Sequence, residues 1–377
     1  VTFTGNRLVF PWSWYEKLGF APINLLSRQN FMRLVTGVAF LCLSACSSLG
    51  MAQMLPGGMA RSGSGLIGGG SSFANPAMSR WSNQFHQATN LQVNYQSIGS
   101  GGGIRNFTNR TLDFGVSDGP MNEEQLAQAG EGVLHIPVTM GAVAICYNIP
   151  DLKEQLVLSG PVIADIYLGK ITRWNDGAIR DLNPGVELPN EEIAVVRRAD
   201  GSGTTFIFSD FLSKVSSEFR SRIGTGTTIN VRVGLAARGN EGVSVQVQRA
   251  NFSIGYVELL YAMEARVTVA KVLNAAGNAI EPSPQSVTAA AASITEFPDD
   301  LRMSITNPPG EAAYPLGGFV WVLARERGLN PEKTNTLRKF LEYILSDEGQ
   351  RVATDLKYSR LPDALLELSR QKVARIQ

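Results

Sequence analysis

Three glycine- and serine-rich loops, GGGSSFA at residues 68–74, GSGGGIR at 99–105 and DGSGTTF at 200–206, each stand just before a stretch with helical spacing. The chemistry such loops offer is capture of an anion. The first N–H groups of a helix lack intrahelical partners, and the helix dipole adds partial positive charge where they point. Glycine lets an oxyanion approach the main chain, and serine or threonine adds hydroxyl donors. One such loop is ordinarily only a turn. Three in one chain, the last led by Arg197-Arg198-Ala199-Asp200, argue for a shared site.

Ser72, Ser100, Ser202, Thr204 and Thr205 supply hydroxyls, Phe73 and Gly203 can supply main-chain N–H groups, and Arg198 can supply a charged fork. Together they would surround a tetrahedral oxyanion. Asp200 stands close enough to orient the Arg198 guanidinium and partly neutralise it. Asp118 is the oddity, because a carboxylate near an anion repels it unless the anion has a proton to donate. Phosphate carries one near neutral pH and sulfate does not, so Asp118 would select between them. Its Ser-Asp-Gly-Pro setting also suits a plain turn.

The elements that must hold these loops read as layers of strand and helix. Leu66 to Gly69 reads as a short strand, and Met78, Trp81 and Phe85 mark one face of a helix over 75–88. Residues 91–98 alternate as a strand, a helix begins around Ile104 and Phe107, and 112–118 reads as a buried strand ending at Asp118. Strands whose C-terminal ends feed helix-starting loops define an α/β domain with its ligand at those ends. The apolar run 133–149 reads as strand leaving a first lobe for a second, and 314–324 as the return; helices close the chain, over 337–346 and then to about Arg370.

The chain has 377 residues, 44% of them hydrophobic, which suits two lobes better than one core. A net charge of +1 gives no global field for nucleic acid, so an anion must be held by local donors. The only histidines, His86 and His135, lie at no metal-ligand spacing with the three cysteines, and neither a metal nor another cofactor is expected. Residues 34–45 have the length of a signal-peptide core, and Leu43-Ser44-Ala45-Cys46 resembles the lipobox of bacterial lipoproteins, in which the cysteine is lipidated. The expected organisation is therefore a removed segment 1–45, a flexible tether 46–65 starting at the lipidated Cys46, one lobe from 66–142 plus 317–377, and a second from 143–316. Residues 1–31 lie upstream of the natural start Met32-Arg33, as an unusually long basic-region extension or an artefact of start-site choice. Cys146 is then the one thiol of the folded part, and its apolar surroundings predict a buried hydrophobe.

The pieces NYQSIGSGGGIR, LDFGVSDGPM, ADIYLGKITRWND, IAVVRRADGSGTTFIF and SIGYVE, with the Leu-Pro-Asp at 361–363, resemble the PstS family, the phosphate-specific substrate-binding proteins of bacterial phosphate ABC transporters. The resemblance runs from about Leu66 to Arg370. It implies a two-lobed type II periplasmic-binding-protein fold with two crossover strands and the ligand in the interlobe cleft. It also implies phosphate contacts on Ser72, Phe73, Ser100, Asp118, Arg198, Ser202, Gly203 and Thr204, with Asp200 paired to Arg198. Gly101 stands where the family often has a second serine, and Ala74 where proline commonly follows the phenylalanine. The expected activity is non-catalytic: binding of inorganic phosphate outside the inner membrane and delivery to a membrane permease, by a monomer anchored through lipid. A phosphate sensor or scavenger, or a binder of another tetrahedral oxyanion, keeps the same fold. A serine-based phosphate hydrolase would need a general base or metal cluster beside its nucleophile, and these loops hold no histidine, no clustered carboxylates and no P-loop lysine.

Overall fold

The computed structural model describes residues 65–377 and the backbone of two short strands, Thr2–Thr4 and Arg7–Val9. Those two strands pair antiparallel within a contact unit that spans Val1–Arg61; Ser62–Gln377 is a second unit. The segment 1–45, the tether and Cys46, as read from the sequence, lie outside the described residues, save for those two strands, which the sequence did not indicate.

Among the described residues, nine strands make the main sheet. The order of its principal path is Val93–Ser97, Leu66–Gly70, Phe114–Ser117, Gly317–Arg325, Val133–Asn148, Ser253–Glu258, Ala194–Arg198 and Leu235–Ala237, with Thr268–Val269 also on Val133–Asn148. Leu66–Gly70 runs parallel to both its neighbours, as Ala194–Arg198 does to its own. Strands in each parallel group therefore end on the same side, and every one of the three loops begins at such an end. The apolar run of the sequence forms one unbroken strand, Val133–Asn148, buried along nearly its whole length. Its β-branched and small apolar residues suit a strand covered on both faces. It pairs with Gly317–Arg325 from Val133 to Ala142 and with Ser253–Glu258 from Val143 to Asn148, changing partner between adjacent residues. Cys146 lies in this strand as a buried free thiol, and burial pushes its pKa up to about 12, which makes it inert.

Helix starts and stops follow local chemistry. The helix Asn75–Thr89 has Pro76 in its first turn, where a missing N–H costs nothing, and buries Ala77, Met78, Trp81 and Phe85 on one face. It stops at Asn90, which takes a left-handed conformation at φ 61°. At the C-terminus, helices Pro331–Ile344, Asp347–Asp355 and Asp363–Ala374 pack the far side, the last running past the expected end near Arg370. Buried tryptophans find acceptors for their N–H groups: Trp81 donates to Gly349 O at 2.8 Å and Trp321 to Leu301 O at 2.9 Å. Trp321→Ala would leave a cavity beside the central strand and strand that acceptor. The expected loss of stability is about 3–5 kcal/mol, read as a lowered denaturant midpoint in equilibrium unfolding.

Candidate anion site

Each loop residue is delivered by a strand end and fixed by the helix it starts. Gly70 ends its strand at φ 145°, where an added Cβ would lie 2.0 Å from Val116 O, so only glycine turns the chain into Ser71 and Ser72 there. Ser100 opens the helix Ser100–Thr108 directly, and no side chain caps that terminus. Ser202 caps the helix Gly203–Val215, its Oγ accepting from Thr205 N at 3.1 Å. The second and third loops touch through their backbones, Gly101 N donating to Gly201 O at 2.9 Å. A Cβ on Gly101 would lie 2.9 Å from Gly201 Cα, which explains why this chain dispenses with a side chain there.

The fold brings the expected residues into one connected, buried cluster. Ser72, Phe73, Ser100, Asp118, Arg198, Ser202 and Thr204 are all buried. Arg198 donates from Nε to Asp200 Oδ1 at 3.0 Å and from Nη2 to Asp200 Oδ2 at 2.7 Å, the two-point geometry of a planar fork. Its Nη1 donates to Thr204 Oγ1 at 3.3 Å. Burial by itself would raise the Asp200 carboxyl, but the hydrogen bonds and charge of Arg198 outweigh it and hold the group below the usual range. Asp200 is also tied to Gly239 N, which donates to its Oδ1 at 3.0 Å. Phe73 contributes its backbone, with its carbonyl accepting from Tyr358 Oη at 2.6 Å, while its ring packs on Gly141 of the long strand.

Asp118 sits at the centre. Its backbone N donates to Ser100 Oγ at 3.3 Å, and Gly203 lies so close that an added Cβ would be 2.3 Å from Asp118 Oδ2. Burial pushes its carboxyl up to about 7, against the opposing pull of the Ser71 hydroxyl, the Arg198 charge, the Ser100 hydroxyl and the Thr204 main-chain N–H. One of its oxygens, Oδ1, is buried without a hydrogen-bond partner. A buried carboxylate oxygen with no partner among the described residues leaves its accepting capacity unused.

The three loops did not reveal a fourth contributor. Strand Leu235–Ala237 leads into the helix Gly239–Arg249, and Asn240 in its first turn donates from N and Nδ2 to Ser72 Oγ at 3.2 and 3.0 Å. Tyr256, beside Thr205 Oγ1 at 2.9 Å and accepting from Arg198 N at 3.4 Å, braces the third loop from the adjacent strand. The glycine before Asn240 was the available signal, but a single glycine without serine or threonine beside it is a common turn. His135 lies apart from the cluster, accepting from Met121 N at 3.1 Å, and burial drives its pKa down to about 4. Among the described residues no group of three His, Cys, Asp or Glu is placed to hold a metal ion.

A cluster of fixed hydroxyl, guanidinium and main-chain donors with one orphan acceptor is suited to holding a protonated tetrahedral oxyanion. A model of the PBP superfamily domain matches residues 57–348. The phosphate-binding protein PstS of Xylella fastidiosa strain 9a5c is 42% identical over 305 residues, covering 80% of this chain and 83% of the relative. The phosphate-binding protein PstS of Pasteurella multocida strain Pm70 is 40% identical over 304 residues, covering 80% and 88%. The crystal structure of a phosphate-binding protein from Stenotrophomonas maltophilia superposes with a TM-score of 0.63 at 19% identity, covering 82% of this chain and 94% of that one, a likeness of fold.

Proposed function

The chain belongs to the PstS family of phosphate-binding proteins within the PBP superfamily, and from that premise we propose that it captures inorganic phosphate and delivers it to the permease of a phosphate ABC transporter. The fold is the type II periplasmic-binding-protein arrangement. The observation that carries the ligand assignment is the buried Asp118 Oδ1, which has no hydrogen-bond partner among the described residues. Ser72, Phe73, Ser100, Arg198, Ser202, Gly203 and Thr204 donate to the phosphate oxygens, Asp118 accepts from the protonated one, and Asp200 holds Arg198 in place. Charge-assisted hydrogen bonds contribute roughly 1.5–3 kcal/mol each, so several of them suffice for tight capture without a metal. The activity proposed is binding alone, as in the phosphate-binding relatives.

The change of pairing partner between Ala142 and Val143 supports lobes of 66–142 plus 317–377 and of 143–316, which close on the ligand. No helix among the described residues is long and apolar enough to cross a membrane. We place the protein outside the inner membrane as a monomer, tethered by lipid on Cys46 after removal of residues 1–45.

Titration calorimetry of the full chain with phosphate, with sulfate as competitor, tests the assignment. Tight phosphate binding undisturbed by excess sulfate at about pH 8 is expected, because Asp118, with a pKa near 7, is then ionised and refuses an anion without a proton. Lowering the pH to about 6 protonates Asp118, which can then donate, so sulfate should compete better there. Asp118→Asn, able to donate at any pH, should weaken phosphate about tenfold or more and remove the pH dependence of sulfate competition. Equal binding of sulfate and phosphate by the unaltered chain at alkaline pH would show that the ligand had been misassigned.

A further inference from the structure

Asn240 lies in the helix start that the loops of the sequence did not announce, yet its bonds end on residues of the site. A hydroxyl oxygen has two lone pairs to accept with and one hydrogen to give. Ser72 Oγ accepts from Asn240 N at 3.2 Å and from Asn240 Nδ2 at 3.0 Å, so both its lone pairs are taken. Thr204 Oγ1 accepts from Arg198 Nη1 at 3.3 Å and from Asn240 Nδ2 at 3.2 Å, and is saturated in the same way. What each hydroxyl has left is its hydrogen.

The amide cannot turn over to undo this. Asn240 Oδ1 accepts from Glu258 N at 2.9 Å, and a main-chain N–H can only donate, which assigns the oxygen to that side and the NH₂ to the hydroxyls. Thr204 Oγ1 also donates to the second lone pair of Asn240 Oδ1, but at 3.4 Å, too long a bond to compete with a charged anion oxygen at ordinary hydrogen-bond distance. Asn240 is fully buried, so water does not compete for these bonds.

We propose that Asn240 is a positioning residue that makes the Ser72 and Thr204 hydroxyls obligate donors toward the bound anion. The inference rests on the phosphate reading of the site. Its consequence is a division of labour: the Ser72 and Thr204 side demands unprotonated ligand oxygens, and the proton of the ligand is directed to Asp118. A protonated oxygen is disfavoured on the Asn240 side, because the lone pairs of both hydroxyls there are already filled.

The test is a cycle read by phosphate titration on the full chain. Asn240→Ala alone is expected to weaken binding about tenfold, because freed lone pairs let both hydroxyls rotate away from the anion. In a Ser72→Ala, Thr204→Val background the same substitution should have little further effect, since Asn240 acts through those hydroxyls. An equal loss in both backgrounds would mean that Asn240 merely packs the site, and the proposal would be overturned. Asn240→Asp keeps the shape but offers an acceptor that recruits both hydroxyl hydrogens, so a loss on the order of a hundredfold is expected; wild-type affinity in that variant would also overturn it. If the unaltered chain bound no phosphate, the functional reading would fail first and this inference with it. If the unaltered chain bound and Asn240→Ala did so equally well, only the inference would fall.

Discussion

Arg198→Ala is expected to weaken phosphate binding by roughly a thousandfold, a loss of about 4 kcal/mol in the same titration. The side chain is 1% exposed and commits one edge of its fork to Asp200, with Nη1 reaching toward Thr204. The remaining N–H groups are the charged donors of the cluster. Truncation removes them and, in the same stroke, leaves the Asp200 carboxylate uncompensated beside the anion, so attraction becomes repulsion. Asp200 keeps its bond from Gly239 N and is partly reached by solvent, its side chain 15% exposed, so the fold should survive the change. Arg198→Lys separates charge from geometry. A lysine ammonium restores the positive charge but cannot bridge Asp200 at two points and still serve Thr204 and the ligand. Its affinity should fall between wild type and alanine, about tenfold to a hundredfold below the former. A lysine variant equal to wild type would show that Arg198 acts as a point charge and that its bidentate clamp is incidental.

The parts of the site that the sequence disclosed are those in which one short segment carries both the donor and the reason for its placement. In DGSGTTF the serine caps the helix, the glycine opens the approach and the threonine follows in the first turn, so strand, loop and ligand-facing groups are contiguous. Asn240 is different, because its meaning comes from Ser72, 168 positions earlier, and from Glu258 on a neighbouring strand. Those contacts exist only once Leu235–Ala237 has paired with Ala194–Arg198 at the sheet edge. Local patterns hold no record of that pairing. The long apolar run was readable as strand from its β-branched residues, but its exchange of partners at Ala142 and Val143 is a property of two other strands, Gly317–Arg325 and Ser253–Glu258, that arrive from far along the chain. Asp118 shows the same limit in its energetics. Its turn-like setting was visible, whereas a pKa near 7 and an orphaned oxygen follow from burial that only the assembled cluster provides.

Gly203→Ala should produce the second large loss, and by a different route, because it removes no donor. The alanine Cβ would stand 2.3 Å from Asp118 Oδ2 and 2.6 Å from its Cγ, far inside van der Waals contact. Asp118 cannot swing aside freely: its side chain is buried, and its backbone N is tied to Ser100 Oγ. Either the carboxyl or the start of the helix Gly203–Val215 must move, and both are walls of the same small site. Helix propensity favours alanine over glycine, so the helix itself is not weakened, and the overpacking strain costs about 1–3 kcal/mol of stability. Phosphate affinity should fall on the order of a hundredfold, since donors displaced by even a fraction of an ångström lose much of a buried hydrogen bond. The effect should depend on its partner. In an Asp118→Gly background the space for the Cβ exists, and Gly203→Ala should then cost little further affinity, a coupling that a double-mutant cycle measures directly. Additive losses would show that Gly203 serves the anion through its own close approach and that its contact with Asp118 is secondary; the 2.3 Å clash argues that the two residues act as one element.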